Sequence, residues 1–187
     1  MERLSDNYYV EKVRLGETAC FATLLERYGK QVFSLIVKIV ENREDAEELA
    51  QDVFVKAFNS LSSFRGDSSF STWLYRIAYN MAISATRKKT WEFTPIDENL
   101  LSAMPDEPDG IFFDGVDADT RIVHLKCALE QLPPEDRAMI MLFYKDNKSM
   151  EEIAVITRLT ETNVKTKIFR IRKKLFVLIK AMKSKGE

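Results

Sequence analysis

Residues 149–175, SMEEIAVITRLTETNVKTKIFRIRKKL, read as two short helices around a tight turn, the second strongly basic. Ile153, Ala154, Ile156 and Leu159 supply the apolar side of the first helix and the turn. Val164, Ile168, Ile171 and Leu175 recur at spacings of four, three and four, which is one face of the second helix. Ser149 followed by Glu152 is a capping box, and Thr160 is placed to cap the second helix. Lys165, Lys167, Arg170, Arg172, Lys173 and Lys174 fall mostly on the solvent side. The pattern is that of a helix-turn-helix, whose second helix sends its first turns into the major groove. Glu161, Thr162, Asn163, Lys165, Thr166 and Lys167 then face duplex DNA, with Arg170 and Lys174 placed for phosphates. A solvated basic face on a terminal helix is the plain alternative.

Working outward, the 187-residue chain has the apolar content of a foldable protein, 45%. With only 6 Gly and 5 Pro, helix formers dominate, and the expectation is an all-α protein. The net charge of -1 hides a segregation. Glu92, Asp97, Glu98, Asp106, Glu107, Asp109, Asp114, Asp117 and Asp119 fill a stretch without Lys or Arg, whereas cations crowd the chain past Arg158. Cys20 and Cys127 stand far apart at apolar helical positions and read as buried thiols. The lone His124 has no glycine-rich loop or paired carboxylate beside it, which argues against an enzyme and against a metal centre. No secretory leader and no membrane span are legible, and the expected location is the cytoplasm.

A long helix is expected from about Glu17 to Val40, buried through Phe21, Leu24, Leu25, Tyr28, Val32, Leu35, Ile36 and Ile39. A second runs from about Arg43 to Leu61, with Ala46, Leu49, Val53, Phe54, Ala57 and Phe58 inward and Glu44, Asp45, Glu47, Glu48 and Asp52 outward. The loop SSFRGDSS at 62–69 precedes a third, capped near Ser69 or Ser71, with Phe70, Trp73, Leu74, Ile77, Ala78 and Met81 in the core. With a short helix near Tyr8–Leu15, these make a first domain over residues 1–90. Residues 91–119, with Pro95, Pro105 and Pro108, read as a flexible acidic linker. Residues 120–187 form a second small helical domain that ends in the helix-turn-helix.

DAEELAQDVF at 45–54, FRGDSSFSTWLYRIAYNMA at 64–82 and the terminal helix-turn-helix occur in one order. Together they resemble the extracytoplasmic-function sigma factors, promoter-specificity subunits of bacterial RNA polymerase in the sigma-70 family. The resemblance implies that Asp45, Glu48, Gln51 and Asp52 dock on core RNA polymerase. It implies that Phe64, Arg65, Gly66, Asp67 and Ser68, with Arg76, Tyr79, Asn80, Ile83 and Arg87 on an exposed helix face, hold the displaced strand of the minus-ten element. The last domain corresponds to the reader of the minus-thirty-five element. An anti-sigma protein, often membrane-bound in the family, is an implied partner alongside promoter DNA; no cofactor is implied. The chain departs from the family pattern at Arg158, where the turn usually has Gly, and at Thr162–Asn163, where Gly-Thr is usual. A left-handed backbone at Arg158 costs about 1 kcal/mol over Gly. The rival from another class is a stand-alone helix-turn-helix regulator, which needs a ligand pocket or a dimer surface within residues 1–90 and binds duplex DNA without polymerase.

Overall fold

The computed structural model describes residues 4–87 and 118–183; the reading of 91–119 as a flexible linker lies outside them up to 117, and is corrected at Ala118 and Asp119, which already belong to a helix. The described residues are helical, with no strand: α1 (Asp6–Arg14), α2 (Phe21–Val40), α3 (Arg43–Asn59) and α4 (Phe70–Thr86), then α5 (Ala118–Glu130), α6 (Pro134–Tyr144), α7 (Met150–Thr157) and α8 (Glu161–Lys183). One-turn 3₁₀ helices at Thr18–Cys20 and Leu61–Ser63 lead into α2 and out of α3. The starts follow the caps read in the sequence. Ser69 accepts from the Thr72 N–H at 3.1 Å, Ser149 and Glu152 close a capping box, and Thr160 accepts from the Asn163 N–H at 3.2 Å. Asn42, which follows α2, caps α3 by accepting from the Asp45 N–H at 3.0 Å.

In the N-terminal unit, Leu24, Val32, Ile36 and Ile39 of α2 are sealed against Ala46, Val53 and Ala57 of α3 and Phe70, Leu74 and Ala78 of α4. In the C-terminal unit, Leu132, Met139, Leu142, Ile153, Ile156, Ile171 and Ile179 are fully buried, each such side chain contributing about 1.5–3 kcal/mol. The two units also pack on each other, α6 against α2 and α7 against α4, and their apolar residues form one continuous cluster. Polar ties cross the seam. Arg137 of α6 pairs with Glu41, Lys145 donates to the Ser34 hydroxyl at 2.5 Å, and the Thr72 hydroxyl donates to Glu152 at 2.8 Å.

Some expected core positions are corrected. Leu25 and Phe58 sit at the edges of their helices' buried stripes, 46% and 38% exposed. Cys127 is exposed rather than buried, and Ile122 and Val123 of the same helix are more than half exposed as well. Among the described residues no helix is long and apolar enough to cross a membrane.

Candidate functional site

The outer face of α3 is acidic as its sequence implies. With Ala46, Val53 and Ala57 turned inward, Asp45, Glu48, Gln51 and Asp52 all stand exposed. Asp45, Glu48 and Asp52 border a cavity of about 340 Å³ floored by Val40, Leu49 and Ala85. An apolar floor with carboxylates at its rim suits a cationic, partly apolar protein surface.

Past α3 the chain turns at Gly66, whose φ of 81° lies where a side chain is strained. Arg65, Gly66 and Asp67 are exposed, and Ser68 is half-buried. Arg14 of α1 holds the base of this loop by donating to the carbonyls of Leu61 and Phe64. Phe64 itself is 4% exposed and packs on Phe70 and Trp73 with ring centroids 5.8 and 5.4 Å apart. It is therefore core, not an open stacking platform, and Trp73 joins it there as its spacing predicts. Arg76 and Asn80 of α4 border a second cavity, about 480 Å³, with Lys56, Ser60, Ser84 and, from the turn of the helix-turn-helix, Arg158. The Asn80 side chain donates to the Arg76 carbonyl at 2.6 Å, which aims its amide oxygen away from the helix.

The exposed face expected through Tyr79 and Ile83 is covered. Tyr79 is 7% and Ile83 5% exposed, because the C-terminal unit lies on α4. Burial pushes the Tyr79 hydroxyl well above the usual tyrosine range, and the carboxylates of Glu135 and Asp136 add to it. Arg87 remains exposed but stands 3.4 Å from Glu135.

The helix-turn-helix is formed. Arg158 caps α7 at φ 61°, ψ 33°, the left-handed conformation that its place in the turn requires. Glu161, Thr162, Asn163, Lys165, Thr166 and Arg170 are exposed on α8. The Thr166 hydroxyl donates to the Thr162 carbonyl at 2.9 Å, so its lone pairs are left to accept from a base edge. Lys167 and Lys174, expected free for DNA, are engaged within the chain. Lys174 lies 2.8 Å from Asp136, and Lys167 lies 3.4 Å from Asp136 and 3.6 Å from Glu135.

What sequence reasoning missed is the seam. Glu152 accepts from the Ser149 N–H through Oε2 at 3.0 Å and from both Thr72 and Lys148 through Oε1 at 2.8 Å. Burial pushes its carboxyl up, but the bonds from Lys148, Ser149 and Thr72 overcome this and hold it below its ordinary value. The Lys148 ammonium also lies 5.1 Å from the ring of Tyr75, a residue the periodicity of α4 leaves unassigned; it is 3% exposed. These partners are about eighty residues apart, and only Arg137, a cation inside the apolar run of α6, marks the seam in the sequence.

Comparison with known proteins adds the relatives. The family model for Sigma-70 region 2 matches residues 24–92, and that for Sigma-70 region 4 matches residues 123–175. The RNA polymerase sigma-H factor of Pseudomonas aeruginosa is 32% identical over 178 residues, covering 89% of this chain and 90% of the relative. The ECF RNA polymerase sigma-E factor of Escherichia coli strain K12 is 33% identical over 177 residues, covering 91% and 92%. Among solved structures, CnrH in complex with the cytosolic domain of CnrY superposes with a TM-score of 0.68 at 22% identity, covering 94% of this chain and 97% of that one. The last supports the fold of both units.

Proposed function

Because the chain belongs to the extracytoplasmic-function sigma factors of the sigma-70 family, we propose that it acts as one through three surfaces. Asp45, Glu48, Gln51 and Asp52 of α3 dock on core RNA polymerase. Arg65, Gly66, Asp67 and Ser68 of the loop, with Arg76, Asn80 and Arg87, take the displaced strand of the minus-ten element; Phe64, Tyr79 and Ile83 support that surface from beneath. Glu161, Thr162, Asn163, Lys165, Thr166 and Arg170 read the minus-thirty-five element as a duplex, joined by Lys167 and Lys174. The role is recognition and strand opening in the cytoplasm, with no catalytic chemistry of its own.

The observation that carries the reading is the exposed carboxylate face on α3 in a chain that also ends in a formed helix-turn-helix. Electrostatic complementarity of this kind steers encounter and sets register with a cationic partner, whereas a free DNA reader is repelled by it. A protein partner that restrains the factor, of the anti-sigma class, is proposed with it, in keeping with the partner-bound state of CnrH. Run-off transcription with core RNA polymerase tests the reading. Promoter-specific transcripts should appear only when core and this chain are both present, and tight duplex binding by the chain alone would favour a stand-alone regulator.

A further inference from the structure

We propose that Asp136 is a positioning residue for duplex reading, a carboxylate that withholds Lys167 and Lys174 from phosphates so that wrong sequences bind poorly; this rests on the function proposed above. Asn163, Lys167, Arg170 and Lys174 recur at spacings of four, three and four, so they share one face of α8. With Thr166 they border a cavity of about 330 Å³, to which α6 contributes Asp136.

Local structure puts the carboxylate there. Pro133 and Pro134 open α6 and leave Glu135 and Asp136 in its first turn, where the helix dipole favours negative charge. Asp136 is buried, and a buried carboxylate is costly unless it is paired. Both of its partners come from α8. Lys174 Nζ lies 2.8 Å from Oδ2, and Lys167 Nζ lies 3.4 Å from Oδ1. Glu135 Oε2 stands 3.6 Å from the same Lys167. All four residues belong to the C-terminal unit, so the arrangement does not depend on how the two units meet. Lys165 and Arg170 stay exposed beside it.

The consequence is a difference between right and wrong DNA. On a non-cognate duplex the base-edge readers find no match, and neutralised phosphates supply essentially all of the affinity. The helix then takes whichever register brings most cations to phosphates. With Lys167 and Lys174 already facing carboxylates, that contribution is cut. On the cognate duplex Asn163, Thr166 and Arg170 fix the register through base edges and phosphates, and the two lysines are needed less. Asp136 thus weakens wrong complexes more than right ones, and specificity is that difference.

The test uses holoenzyme made from core RNA polymerase and the full chain. Its probes are a promoter fragment taken from the run-off transcripts and the same fragment with its minus-thirty-five element scrambled, in filter binding over a salt series. Asp136→Asn keeps the side chain's size and removes its charge. On the scrambled fragment it should bind at least about fivefold tighter than the parent and steepen the slope of log affinity against log salt by about 1–2, at about 0.9 for each lysine released. On the intact fragment the gain should be about twofold or less, so that discrimination falls. Adding Lys167→Ala and Lys174→Ala to Asp136→Asn should return the slope to the parent value or slightly below it. A carboxylate that only braces the fold predicts weaker binding to both fragments and no steepening. An unchanged slope, or an equal change on both fragments, overturns the proposal. Should Asp136→Asn fail to fold, Lys167→Ala with Lys174→Ala in the parent decides: a slope lowered by less than about 0.9 in total supports the pairing, and any larger fall overturns it. Equal affinity of the parent holoenzyme for the two fragments would instead strike the duplex-reading assignment of α8.

Discussion

Lys174 lies 2.8 Å from Asp136, a residue only 5% exposed, and this pairing divides the four cations expected at duplex DNA into two sets. Lys165 and Arg170 face solvent, while Lys167 and Lys174 are bound to the head of α6 and help fix the tilt of the recognition helix. A charge held this way is partly neutralised and adds less to the counterion release that drives binding to phosphates.

Lys165→Ala and Arg170→Ala should each reduce the slope of log affinity against log salt by about 0.9 in holoenzyme–promoter complexes. Lys174→Ala should lower the slope by less than half as much and also reduce unfolding stability by about 1–2 kcal/mol, since it removes one of the two lysines that pair with a buried carboxylate. Filter binding over a salt series and urea melts measure the two effects. Equal slopes for Lys165→Ala and Lys174→Ala would show that the Asp136 pairing is given up on DNA.

Charge reversal at Asp45, Glu48 and Asp52 together should weaken core binding at least tenfold and slow association most at low salt, where steering is strongest. All three are exposed on α3, so helical content should be retained. Core affinity of the folded triple variant equal to that of the parent would remove α3 as the docking face.

Much of this was legible because the signals are local. Caps at Ser69, Ser149 and Thr160, and the period of Val164, Ile168, Ile171 and Leu175, arise from neighbours within one or two turns, so the residues announce them. The seam was not legible, because the spacing of Tyr79 and Ile83 says that they share a face but not what lies on it. Their burial depends on a partner unit about fifty residues away. Ion pairs such as Lys174 with Asp136 hide for the same reason: a basic helix face looks alike whether it meets water, phosphate or a carboxylate of its own chain.

Asn80 separates holding a base from opening the duplex. Its side chain is half-buried and borders the cavity shared with Arg76, with the amide oxygen available to a base edge. Asn80→Ala should lower transcription on closed duplex by roughly tenfold, about 1.4 kcal/mol, a usual loss for one polar contact. If the residue holds an extruded base, the loss should persist on a template with a pre-opened bubble; if it acts only in opening, the bubble should restore the rate. Full activity on both templates would make Asn80 a surface amide.

Acid should loosen Glu152. Its carboxyl is held below its ordinary value in the folded chain, so the stability it contributes is fully present above the unfolded value of about 4.3 and is lost as pH falls through the lower folded value. Glu152→Gln is the informative variant, because its one amide oxygen can still close the capping box on the Ser149 N–H while the charge and the acceptor toward Thr72 and Lys148 are lost. Burial raises the Asp146 carboxyl, which works in the opposite direction, weakening the fold as pH rises through its range, but it is present in both proteins and cancels. The difference in denaturant midpoint between parent and variant should be largest near neutral pH and shrink between about pH 5 and 3. A difference that stays constant down to about pH 3 would mean that Glu152 acts through its shape, not its charge, and that Lys148 and Thr72 are held by something else.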